Sequence, residues 1–142
     1  MKGGGYCKWY GNLNNVVNWQ SDGAEIKAGI IARYPYLNGK WEWVAKNTEY
    51  YFQKGVTYSY LTSADFSARI SPGGFVFDVA GSSLFPANPI LVLAMMNSTY
   101  AAYALKLINP TVNFQVGDVS RLPLMPNSSD FLEFLTQQSI VQ

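Results

Sequence analysis

The chain has 142 residues, 49% hydrophobic, 15% aromatic and 13% charged, with a formal net charge of +1 and no histidine. That length supports one globular domain over residues 1–142 with a core of its own and is short for two. The missing imidazole excludes Ser-His-Asp and Cys-His catalysis and most zinc sites, and so small a charge does not announce nucleic acid.

In chain order, the start MKGGGYCKWYGN has no apolar run after its first lysine, so it does not read as a signal peptide; a fragment boundary is expected there. Asp22 to Ala32 reads as a short helix. Asn38-Gly39 signals a turn ahead of Trp41 and Trp43, which alternate about Glu42 in the manner of a strand. Glu49 to Leu61 is rich in strand formers and is broken by Lys54-Gly55, so two short strands with a turn are expected. Phe66 to Ile70 and Phe75 to Ala80 show the two-residue period of half-buried strands, joined as a hairpin through Ser71-Pro72-Gly73-Gly74.

The run Ile90 to Ile108 is about long enough to cross a bilayer, but Asn97, Ser98 and Thr99 interrupt it. It reads instead as a buried helical hairpin or bent helix: Asn88-Pro89 caps the first piece, Ser98 the second, and Asn109-Pro110 stops it. Val112 to Val116 alternates as a strand. Ser129 or Asp130 caps a last helix through about Ile140, with Glu133 in its first turn, where the helix dipole favours negative charge. The expected fold is α+β, a twisted, mostly antiparallel sheet with that helical hairpin and a C-terminal helix.

No catalytic motif survives inspection. Lys2-Gly3-Gly4-Gly5 lacks the Gly-Lys-Ser/Thr ending of a phosphate loop, and a flexible entry into the domain is the plainer reading. Gly81-Ser82-Ser83 lacks the Gly-x-Ser-x-Gly spacing of a nucleophile elbow and reads as a loop from strand to helix. The tyrosines and tryptophans suit stacking on bases or on sugar rings, although most aromatics of this kind build cores. The polar positions among them are better contact candidates: Lys8, Tyr10, Asn12, Tyr58, Ser59, Ser63, Ser67 and Arg69. Arg69 suits a guanine edge or a phosphate, and Asn113 and Gln115 suit an adenine edge, or else an ordinary solvated strand face.

A charged fraction about half the usual share points to surface that a partner covers. Residues 1–60 carry seven Lys or Arg against four Asp or Glu, and residues 61–142 three against five. The first half is therefore weakly basic and able to face phosphates. Cys7 is alone, which forbids an intramolecular disulfide and fits a cytoplasmic location.

Four blocks carry a family likeness. They are Lys2 to Asn12 with Val17-Asn18-Trp19 and Asp22-Gly23; Gly55 to Ser59 through Phe66 to Arg69; Gly74 to Pro86; and Met96-Asn97-Ser98 with Leu107 to Asp118 and Leu122-Pro123. In this order they resemble the region that follows the catalytic domain in PglX-type adenine-specific DNA methyltransferases of BREX phage-exclusion systems. The resemblance implies a target-recognition fragment of an N6-adenine methyltransferase, with double-stranded DNA and the catalytic domain as partners and no membrane. It places S-adenosylmethionine on that catalytic domain, with no cofactor in this fragment. The methyl-donor loop and the Asn/Asp-Pro-Pro-Tyr/Phe motif are absent, since Asn109-Pro110-Thr111-Val112 lacks the second proline and the aromatic. The apolar Ile90 to Ile108 helix would supply the surface buried against the catalytic neighbour. The competing readings are an aromatic-rich carbohydrate- or peptide-binding module and a purely structural domain.

Overall fold

The computed structural model describes residues 4–123 and 130–141. The chain divides into two compact units, one of Asn14–Tyr51 and the other of the residues before and after it.

In the Asn14–Tyr51 unit, helix α1 spans Gln20–Arg33, a little longer than expected. Its first residues are left-handed rather than helical, with φ of 52° at Ser21, 56° at Asp22 and 71° at Gly23. Gly23 suits this because a Cβ there would press on the Trp19 indole at 3.0 Å. Lys27 holds the kink: its Nζ donates to Asp22 at 2.6 Å and stands 4.2 Å from the centre of the Trp41 ring. The Asn38-Gly39 turn is present, with φ of 50° and 81°. Beyond it the chain differs from expectation. Trp41–Trp43 and Thr48–Tyr50 are single 3-10 turns, not strands. Among the described residues no strand pairs with them, and each closes on itself, Val44 N–H to the Trp41 carbonyl and Tyr51 N–H to the Thr48 carbonyl.

In the other unit, strands β1 (Gly55–Ser59), β2 (Ala68–Ser71) and β3 (Gly81–Leu84) form an antiparallel sheet in the order β2-β1-β3. Val56 faces Ile70 on one side and Leu84 on the other, and Tyr58 faces Ala68 and Ser82. Trp9 extends the sheet past β2, donating to the Ala68 carbonyl at 2.9 Å and accepting from the Ile70 N–H at 2.8 Å. The fold is thus α+β with an antiparallel sheet, as the periodicity implied.

The pairing differs. The expected hairpin between Phe66–Ile70 and Phe75–Ala80 does not form, because β1 takes β2 as its partner. At left-handed Gly73 and Gly74 the chain meets Phe52 instead, Gly74 N–H donating to the Phe52 carbonyl and Phe52 N–H to the Phe75 carbonyl, each at 2.9 Å. The Asp78 carboxylate then accepts from the Ala80 and Gly81 amides, an Asx turn that ends the run. Gly81-Ser82-Ser83, read as a loop, is the start of β3. The alternation in Phe66–Ile70 also misleads, since all five residues are buried.

Helices α2 (Pro89–Met96) and α3 (Thr99–Ile108) break where expected and turn by 68°. Asn88 Oδ1 accepts from Leu91 N–H, Ser98 Oγ accepts from Ala101 N–H, and Asn109 ends α3 in an extended conformation. Among the described residues no single helix is long and apolar enough to cross a membrane. α2 buries Val92, Leu93 and Met96 in the core with Val56, Phe66 and Leu105, so this half of the apolar run is spent inside its own fold. α3 buries Ala101 and Leu105 but leaves Tyr100, Tyr103 and Leu107 exposed.

The expected Val112–Val116 strand is reduced to an isolated bridge between Asn113 and Leu61. Gln115 N–H then meets the Asp118 carboxylate at 3.3 Å, and Val116–Val119 coils into α4. The last helix, α5, spans Asp130–Val141 and packs on α2. Its Glu133 lies in the first turn and accepts from Asn88 Nδ2 at 2.7 Å, tying two helix starts together. Ser129, the alternative cap, lies outside the described residues.

Candidate nucleic-acid interface

The ten polar candidates separate by burial. Arg69, Tyr58, Ser67 and Ser59 are 0%, 1%, 1% and 2% exposed, so in this arrangement they hold the fold and present nothing to a duplex. Both terminal nitrogens of Arg69 donate to Ser59 Oγ at 3.3 Å, and Ser59 Oγ donates to the Gly4 carbonyl at 3.1 Å. Burial pushes the Arg69 guanidinium below its ordinary pKa, the expected sense for a charge that has lost water. Ser67 Oγ accepts from the Cys7 amide at 3.2 Å. Burial likewise raises the Tyr58 phenol. Tyr58 and Ser59 lie on β1 and Ser67 and Arg69 in the 66–70 run that enters β2, and both stretches are buried along their whole length, where period-two alternation in Phe66 to Ile70 had implied one open face.

Lys8 is half-buried, its Nζ donating to the Asn97 carbonyl at 3.0 Å. Asn12 turns back on the entering chain, its Nδ2 donating to the Gly5 carbonyl at 3.0 Å. Tyr10, Ser63 and Gln115 are exposed and Asn113 is half-buried.

Ser63 belongs to a groove of about 770 Å³ walled by the 62–65 loop, the 110–114 segment and Tyr6, with Lys106 on its flank. Asn113 and Gln115 continue one of those walls along the chain. At the rim of the groove, which both residues line, Lys106 Nζ donates to Asp65 Oδ1 at 2.9 Å. The Lys106 ammonium, first through this hydrogen bond and then through its charge, holds the Asp65 carboxyl below the usual carboxylate range. Tyr6 is one of the aromatics that the sequence offered for stacking, whereas Asp65 and Lys106 were not among the contact candidates, since nothing in the sequence links residues so far apart.

Among the described residues no group of three or more His, Cys, Asp or Glu gathers to hold a metal ion.

By geometry, then, the larger unit is an α+β domain with an open groove walled by hydroxyls, an aromatic ring and an exposed ion pair. No family model matches the chain. It is 36% identical, over 98% of its length, to the adenine-specific methyltransferase BrxX of Escherichia coli O9:H4 (strain HS). It is likewise 36% identical over 98% of its length to the adenine-specific methyltransferase PglX of Lacticaseibacillus casei (strain Zhang). The chain spans 11% and 12% of the lengths of those proteins. The resemblance to PglX-type adenine-specific methyltransferases therefore runs essentially end to end through this chain and corresponds to one segment of those much longer proteins.

Proposed function

We propose that this chain is the DNA target-recognition segment of an N6-adenine-specific methyltransferase acting on cytoplasmic DNA in a phage-defence system. The observation that carries the reading is the end-to-end match to proteins named adenine-specific methyltransferases, confined to about a ninth of their length. A segment of that size, without histidine and without the Asn/Asp-Pro-Pro-Tyr/Phe motif, suits recognition better than methyl transfer. S-adenosylmethionine and the residues that move the methyl group then belong to another part of the protein.

An enzyme that swings an adenine out of the stack must first locate it, and a separate surface can read the flanking duplex through base edges. The exposed or half-exposed Ser63, Asn113 and Gln115 around the groove offer such contacts. The test is an exchange: the matched segment of the E. coli relative is replaced by this chain, and methylated adenines are mapped across the host genome. Methylation at a new sequence supports the reading, and full methylation at the original sequence overturns it.

A further inference from the structure

The exposed pair of Asp65 and Lys106 is a feature that fold stability does not account for. The residues are 41 positions apart in sequence and meet at 2.9 Å, with side chains 64% and 66% exposed. Water screens such a pair, and ordering both side chains costs entropy, so it contributes little to folding. It does place a fixed donor beside a fixed acceptor at the rim of the groove. The ammonium offers three hydrogens, of which the bond to Asp65 uses one, and the ionised carboxylate accepts only.

Resting on the recognition reading above, we propose that Asp65 and Lys106 together read the orientation of one base pair in the major groove. Lys106 donates to a keto oxygen on one strand while Asp65 accepts from the amino group paired with it on the other. In a G·C pair the guanine O6 acceptor lies beside the cytosine N4 donor, and in T·A the thymine O4 acceptor lies beside the adenine N6 donor. Both present the acceptor–donor order that a Lys–Asp pair complements. Reversing either pair, to C·G or A·T, sets the ammonium against an amino group and the carboxylate against a keto oxygen. G·C is favoured over T·A because guanine adds its N7 acceptor next to O6, within the reach of a spare lysine hydrogen, where thymine presents a methyl group. The recognised sequence therefore contains a position that takes G, tolerates T, and rejects A and C on the strand under Lys106.

The test is selection from random-sequence duplexes by the exchanged methyltransferase described above, carrying this chain as it stands and as Lys106→Met, Asp65→Ala and the charge-exchanged Asp65→Lys/Lys106→Asp. Because the pair is solvent-exposed, the variants are expected to keep the parent melting midpoint, which is measured alongside. The parent enriches a G or G/T position; each single variant relaxes it roughly tenfold, within the usual range for one base contact; and the charge exchange shifts it toward C or A. Unchanged preference at every position in all three variants overturns the proposal while leaving the recognition reading intact. So does uniformly weaker binding by Lys106→Met with a salt slope lower by about one, the signature of a phosphate contact. No enrichment by the parent at any position overturns the recognition reading and this proposal with it.

Discussion

The Asn97 carboxamide pairs with the backbone of Ala68 as a strand would: its Oδ1 accepts from the Ala68 N–H at 2.9 Å and its Nδ2 donates to the Ala68 carbonyl at 2.8 Å. Asn97 sits at the break between α2 and α3 and is 6% exposed, so the bend in the helical pair is fastened to the edge of the sheet. Replacing it with alanine removes both bonds and leaves a buried amide without its partner. Asn97→Ala is expected to destabilise the chain by about 2–3 kcal/mol, read from urea unfolding. A midpoint equal to the parent's would show that the clamp contributes nothing.

Burial separates Arg69 from Gln115, although both were candidates for touching DNA. Arg69→Gln is expected to lower stability by about 1.5–3 kcal/mol, the usual range for a charged hydrogen bond. Gln115→Ala, on the surface, should stay within about 0.5 kcal/mol of the parent. Thermal melts followed by circular dichroism decide it, and equal melting of the two variants would contradict the enclosed placement of Arg69.

Gly55 and Gly29 are expected to respond oppositely to alanine. A Cβ on Gly55 would run into the Leu84 carbonyl and meet the Phe85 ring at 2.9 Å, forcing β1 and β3 apart. Gly55→Ala should cost about 1–3 kcal/mol, as overpacking does. Gly29 lies inside α1 with nothing within 4 Å of an added Cβ, so Gly29→Ala should be neutral or stabilise by up to about 1 kcal/mol. Denaturation midpoints of the two variants test the contrast.

The Asp65 carboxyl titrates below its ordinary range in the folded chain. A depressed folded pKa means that the stabilisation is present above the unfolded aspartate value of about 3.9 and is lost as pH falls through the folded value. Carboxyl carbon shifts followed by NMR during acid titration should therefore place Asp65 low in the parent. Its midpoint should rise in Lys106→Met and partly rise at high salt, which screens exposed charges. An Asp65 midpoint unmoved by Lys106→Met would remove the ion pair from solution.

The helical part of the fold was legible because its signals are local. Asn88, Ser98 and Asn109 act on backbone groups a turn or less away, and each cap or stop is where the residue types placed it. The sheet was less legible. Phe75 to Ala80 alternates as a strand but closes on Asp78, while Gly81–Leu84, with two small serines, pairs with β1. Alternation reports which side chains share a face, not which segment is near enough to complete a ladder.

The same division runs through the candidate site. Composition by itself determined that no imidazole chemistry operates here, and the ordered blocks from Lys2 to Pro123 pointed to the PglX-type likeness that the two relatives display. Only the tertiary structure decided that Arg69 and Tyr58 are enclosed, and that Asp65 and Lys106 meet beside the groove. Caps and absences are settled within a few residues of chain. Burial and long-range ion pairs depend on where every other segment packs, and that choice is made by the whole core at once.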